Sequence, residues 1–163
     1  VHRLRLLVLL ALGACVSPAP APQGSFRAAS APIWSSAQLD PARLTGEWRQ
    51  IAGFGAPAGC RPGGVTISGS GALTAAFRLC ASGREWKGGG RMTATGAGRF
   101  DLAGQPWWVL WADADYRTLV IGTPDGSFGF VLDRSARAAP DRLRAAREIL
   151  DWNGYDTTRL AVF

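Results

Sequence analysis

Histidine is almost missing from this chain: the single copy, His2, sits at the extreme start. Beyond it there is no imidazole, which excludes His-dependent catalytic triads, histidine metal sites and imidazole acid–base chemistry. Lysine is as scarce, with Lys87 alone among 18 basic residues, the rest being arginine. Those arginines are scattered among Asp and Glu, with no basic run, aromatic-interleaved basic motif or recognition-helix pattern, so no nucleic-acid partner is expected. No apolar run approaches the ~20 residues that cross a bilayer as a helix; Leu6–Leu12 has seven. No phosphate-cradling loop or metal-ligand spacing is present. The carboxylates Glu47, Glu85, Asp101 and Asp113 are dispersed and read as solvated strand or turn charges. The expectation is a protein that is not an enzyme and carries no cofactor.

What is present begins with a leader. Val1 to Arg5 is positively charged, Leu6–Leu12 is apolar, and Leu12-Gly13-Ala14-Cys15 follows; this reads as a signal peptide over residues 1–14. An apolar residue at −3, small residues at −2 and −1 and Cys at +1 resemble the lipobox of bacterial lipoproteins. The resemblance implies that Cys15 carries diacylglycerol on sulfur and a further acyl chain, such as palmitate, on its new amino terminus. At ~0.8 kcal/mol per buried CH₂, several chains make a permanent membrane anchor. Val16, where Asp would signal inner-membrane retention, implies the outer membrane, with the protein facing the periplasm. An ordinary secretory signal that happens to contain Cys is the alternative. Loss of Arg3 and Arg5 lowers the formal charge from +6 to about +4. Residues 15–38 are then the lipidated cysteine and a Pro/Ala/Ser-rich tether of at most ~70 Å, in which Ile33 and Trp34 are candidates to touch the domain.

From Gly46 onward short strands alternate with Gly, Asp and Pro punctuation. The expected strands are 46–54, 64–68, 73–80, 84–88, 90–95, 98–102, 106–112, 118–123 and 127–133. Leu73, Ala75, Phe77 and Leu79 alternate with Thr74, Ala76, Arg78 and Cys80, a period of two. Consecutive hairpins with no helix between them form a meander, and a meander this long leaves bare edges unless it closes into a barrel. A helix follows: Pro140 suits a first-turn position, Asp141 the positive helix N-terminus, and Gly154 the stop. Its apolar stripe is Leu143, Ala146 and Leu150, to be packed outside the barrel against strand 106–112, which is apolar on both faces. Leu160–Phe163 is a short last strand or tail. Cys60 and Cys80 remain once Cys15 is acylated; an even pair in an exported chain predicts a disulfide, two independent buried thiols being the alternative.

The segment Leu39-Asp-Pro-Ala-Arg-Leu-Thr-Gly46-Glu-Trp48-Arg-Gln-Ile-Ala-Gly-Phe54 resembles the opening of bacterial outer-membrane lipocalins. Asp113-Ala-Asp-Tyr116-Arg117 is similar to that family's turn before the seventh strand, Leu132-Asp-Arg134 to the arginine that ends the eighth, and Gly154–Leu160 to its C-terminal end. The similarity spans about residues 38–163, and implies an all-β fold for residues 39–163: a closed eight-stranded antiparallel up-and-down barrel of lipocalin type with an external C-terminal helix. It implies that Gly46, Trp48, Tyr116 and Arg134 close the barrel, with the Arg134 guanidinium over the Trp48 indole, and touch no ligand. The chain departs from the pattern between Gly83 and Pro106, where it is glycine-rich; short middle hairpins and a shallower cup are expected there.

By alternation the inward set includes Ala52, Phe54, Phe77, Met92, Trp107, Trp111, Phe128 and Phe130; Trp107 and Phe130 also agree with aromatic cavity positions in similar bacterial proteins. A hollow interior is expected because large aromatics oppose small residues such as Ala52, Ala75 and Gly122. The expected role is binding or transport of a small hydrophobic ligand such as a fatty acid or lysophospholipid, by a monomer or weak homodimer. The alternative is a filled barrel that stabilises the envelope or docks a partner, since seven Trp could fill the interior.

Overall fold

In the computed structural model, which describes residues 24–163, eight antiparallel strands wind into a closed barrel. They are β1 (Gly46–Phe54), β2 (Gly64–Ser68), β3 (Leu73–Ala81), β4 (Arg84–Gly96), β5 (Arg99–Leu102), β6 (Gln105–Ala112), β7 (Thr118–Gly122) and β8 (Gly129–Asp133). Each pairs with the next, and β1 pairs with both β2 and β8 to close the ring. A short β9 (Leu160–Val162) adds to the upper half of β1, on the edge that β2 leaves. The helix α1 (Pro140–Trp152) packs outside on β6 and β7, and Gly154, at φ +79°, ends it. Barrel, strand order and external helix are as expected. The leader 1–14, Cys15 and residues 16–23 lie outside the described residues.

Alternation along the strands sorts the apolar side chains into two layers. Trp48, Val65, Phe77, Leu79, Met92, Trp107, Leu119, Phe130 and Leu132 fill the interior. Phe26, Ile51, Phe54, Val120, Val131, Leu150 and Tyr155 form a second layer between barrel and helix.

Two β-bulges change the expected assignment. The register of β1 slips between Gln50 and Ala52, and that of β6 between Val109 and Trp111. An extra residue reverses the facing of everything beyond it. Ala52, Phe54 and Trp111, expected inside, therefore pack in the outer layer. Phe77, Met92, Trp107, Phe128 and Phe130 face inward.

The glycine run Gly88-Gly-Gly90 does not separate two strands, as expected, but lies within the 13-residue β4. The β3–β4 hairpin is therefore long, with pairing from Leu73↔Met92 to Ala81↔Arg84. The hairpins made with the four-residue β5 are short, and β5 pairs with β4 no higher than Met92. Above that point residues 84–91 of β4 have no partner on the β5 side among the described residues.

The tether expected over residues 15–38 ends early. From Ser25 to Ser36 the chain forms a strap fixed to the outside of the domain. Phe26 is buried against Phe54, ring centroids 5.5 Å apart. The buried Arg27 guanidinium donates to the carbonyls of Asn153 (3.0 Å), Pro124 (2.6 Å) and Ala31. Phe26 N–H bonds Gly126 O in the β7–β8 turn, and Ser36 N–H bonds Val109 O near the far end of the barrel. Ile33 packs on the outer layer, whereas Trp34 is exposed.

Candidate functional site

One end of the barrel is sealed. The 3₁₀ turn Pro41–Leu44 places Leu44 in the base, and Trp48 Nε1 donates to Leu44 O at 2.7 Å. The Arg134 guanidinium lies 3.6 Å from the Trp48 ring centroid and donates to the carbonyls of Arg43, Glu47 and Tyr116 at 3.0, 3.1 and 3.3 Å. Burial draws its pKa below the ordinary arginine value. Gly46 is required here: its φ is +108°, and a Cβ would stand 2.8 Å from Arg134 Nη1. Tyr116 locks the base plug to the β6–β7 turn, its hydroxyl accepting from Asp40 N–H at 2.7 Å while Arg43 stacks on its ring. Neighbouring carboxylates are structural. Asp113 accepts from Thr118 N–H at 2.6 Å, and Asp133 from Thr118, Ser135 and Arg142.

The middle of the barrel is full. Val65, Ile67, Met92, Trp107 and Leu132 border an apolar cavity of about 10 Å³, about the room one water would need. The expected hollow cup is thus absent, and the reason is the outer layer. Ala52 faces outward, and Gly122 leaves its space to the Tyr155 hydroxyl, which would meet a Cβ there at 2.6 Å. Of the small residues expected to hollow the interior, Ala75 alone lies in it.

The opposite end holds five aromatic rings. Phe77 touches Trp86 at 4.7 Å and Trp107 at 5.2 Å, Trp86 touches Phe128 at 5.0 Å, and Trp107 touches Phe130 at 5.2 Å. Trp86 is only partly buried and lies at the mouth. Beside it, between the unpaired upper half of β4 and the β5–β6 turn, is a cleft of about 280 Å³. Phe77, Trp86, Gly88 and Leu102 line it, with Arg84 and Lys87 at its rim. Trp107 Nε1 is the one buried side-chain polar atom without a hydrogen-bond partner among the described residues. The arrangement can hold an apolar group against aromatic faces, with Arg84 beside it for an anionic end, while Lys87 Nζ pairs with Glu85 at 3.3 Å. No group of three or more His, Cys, Asp or Glu is placed to hold a metal ion among the described residues.

Sequence reading misses Trp86, because the glycine run reads as a break. Carrying the period-two count back from Met92 through Gly90 and Gly88 would have pointed it inward. Gln50 is missed too, and nothing in its neighbourhood marks it. The disulfide is present: Cys60, in the loop after β1, joins Cys80 near the top of β3.

Comparison with solved structures settles the fold. Insecticyanin from the tobacco hornworm Manduca sexta superposes with a TM-score of 0.58, at 13% identity, over 81% of this chain and 84% of that one. The fold is that of the lipocalins. Lobster apocrustacyanin A1 matches with a TM-score of 0.53 at 19% identity, covering 86% and 91% of the two chains. The siderocalin Ex-FABP, described as functioning through dual ligand specificities, matches at 0.54 and 18% identity, covering 74% and 93%. A family model described as a lipocalin-like domain matches residues 94–163, from the end of β4 onward. No curated protein sequence matches the chain. At these identities the likeness to lipocalin structures carries the fold.

Proposed function

We propose that this chain is a lipocalin-family lipoprotein, anchored through acylated Cys15 in the outer membrane and facing the periplasm, that binds a small amphipathic ligand at its aromatic mouth. The ligand class is a fatty acid or lysophospholipid, and the protein acts by binding, not catalysis. One observation carries this reading: an aromatic cluster that includes a buried, unpartnered indole N–H opens on a cleft rimmed by two cations. An unmade buried hydrogen bond costs ~1–3 kcal/mol, which a ligand oxygen reaching Trp107 would recover. Access requires Trp86 to swing outward, at ~0.5–1.5 kcal/mol for each aromatic pair it breaks. The ligand site is the mouth, because the middle of the barrel has no room. The dual-ligand description of the structurally similar siderocalin agrees with a binding role.

A second reading is supported by the 10 Å³ interior cavity: a filled barrel that serves the envelope without a ligand. Titration with a fluorescent fatty acid separates the two. The first expects saturable binding, with Trp86→Ala changing affinity several-fold. Absence of saturable binding by both proteins rejects the first.

A further inference from the structure

Where the strap meets the barrel decides which end of the molecule faces the membrane. Had residues 16–38 all been tether, the chain would join the domain at the base plug, and a leash of 23 residues would leave the barrel free to tumble. Instead it joins at the mouth. Ser25 Oγ donates to Asp125 O at 2.9 Å, Phe26 N–H to Gly126 O at 2.8 Å, and Arg159 to Ser25 O at 3.1 Å. Asp125 and Gly126 lie in the β7–β8 turn, on the same rim as the β3–β4 tip, where Ser82 Oγ donates to Ser127 O at 2.7 Å. From there the strap runs down the outside to Ser35 and Ser36, which bond Ala97 O and Val109 O beside the β4–β5 turn at the base.

We infer that the strap presents the mouth to the bilayer, so that the aromatic cleft takes its apolar ligand directly from the leaflet. This rests on the lipid-anchored reading above. Nine residues lie between Cys15 and Ser25, and the ten steps from one to the other, at ~3.5 Å each, reach at most ~35 Å. The eight residues of β6 span about 26 Å along the strand, or roughly 20 Å along the barrel axis at the usual strand tilt. A leash attached at the rim can therefore lay the mouth on the lipid surface with length to spare. To seat the base there it would spend more than half of its reach running back along the wall. The rim suits close approach: Ala56-Pro-Ala-Gly59, Ser82-Gly83 and Ala103-Gly104 are small and uncharged, and Arg84 and Lys87 stand beside the cleft where a lipid phosphate or carboxylate would lie. An apolar ligand then passes from membrane to cleft without crossing water.

The test uses the full chain extracted from membranes and returned to vesicles of phosphatidylethanolamine and phosphatidylglycerol. Its intact mass reports acylation of Cys15, which tests the anchoring reading by itself. If acyl chains are absent, Cys15, the one cysteine outside the disulfide, is coupled to a maleimide lipid, so the orientation is measured in either case. Hydrogen exchange is then compared with and without vesicles. Several-fold slower exchange is expected at the rim, residues 82–84, 103–105 and 124–127, with no change at the base, residues 69–72, 96–98 and 113–117. Protection of the base, or equal protection of both ends, overturns the inference. Inserting twelve Gly/Ser residues after Pro22 adds ~40 Å of leash and leaves every described residue intact. Rim protection should then fall to the vesicle-free level; its persistence would show that the leash does not set the orientation.

Discussion

The side-chain amide of Gln50 pairs with the backbone of Cys80 as a neighbouring strand would, Oε1 accepting from Cys80 N–H at 2.7 Å and Nε2 donating to Cys80 O at 2.9 Å. β2 covers only the lower half of β1, up to Arg49↔Gly64. Above it the tops of β1 and β3 have no ladder between them; the Gln50 side chain joins them in a buried setting, and at the very tip Ser82 N–H and Gly83 N–H donate to Phe54 O and Gly55 O at 3.0 and 2.6 Å. Gln50→Leu keeps the volume and strands both Cys80 groups. The expected loss is roughly 2–4 kcal/mol, read from urea unfolding; a loss under 1 kcal/mol would mean that water replaces the amide.

Cys80 is held a second time through its disulfide to Cys60. A bridge closing a 20-residue separation contributes roughly 3 kcal/mol in the chain-entropy model. Reduction should lower the melting temperature by about 10 °C or more for a domain of this size, and the Cys60→Ala/Cys80→Ala double variant should match the reduced protein.

Arg134 closes the base by shape as well as charge. It stacks flat on Trp48 while forking to three carbonyls. Lysine retains the charge but neither the plane nor the fork. Arg134→Lys should cost about 2 kcal/mol, with Trp48 emission shifted to the red as water reaches the indole. Unchanged emission would show that Leu44 alone keeps the base dry.

The link between helix and barrel is sensitive to acid. Burial disfavours the charged form of Asp133, but hydrogen bonds from Ser135, Thr118 and Arg142 outweigh it and hold the carboxyl below the usual range. Asp113 behaves alike: burial opposes ionisation, and bonds from Thr118 and Arg117 prevail. With folded values below the unfolded one of ~3.9, the unfolded chain takes up protons first. The stabilisation is complete well above pH 4 and is lost as pH falls through the folded values. Urea midpoints measured between pH 7 and pH 2.5 should fall on acidification. Asp133→Asn should start lower and fall less steeply; an unaltered slope would remove Asp133 from the account.

The strap is part of the domain. Phe26→Ala should cost about 3 kcal/mol, as for other buried aromatics. A chain beginning at Leu39 should expose the Phe54–Tyr155 face, whose rings stack at 5.1 Å, and self-associate in sedimentation. A monomer of full stability would show that the strap only rests on the surface.

The barrel was legible because alternation, turn residues and the Gly-x-Trp and Arg134 positions all point to one closure. The site was legible in part. Phe77, Met92, Trp107 and Phe130 lie on strand stretches whose period is unbroken, and Phe128 directly precedes β8 in the same phase. Ala52, Phe54 and Trp111 lie beyond bulges, and a bulge is set by how two strands meet across the sheet, which the local order Gln50-Ile51-Ala52 does not encode. The strap reads as tether because Phe26 and Arg27 are too few to make a period, and their partners, Phe54 and Asn153, are distant in the chain. Gly88-Gly-Gly90 reads as a break because glycine more often ends a strand than runs along an unpaired lip.

That lip has its own consequence. From Arg84 to Arg91 the outer edge of β4 offers bare amides and carbonyls, the kind of template on which chains stack into fibrils. Its exposed Arg84, Glu85, Lys87 and Arg91 act as gatekeepers, because another strand could dock there only by bringing charges against charges. Neutralising them would leave the fold untouched and make the protein polymerise.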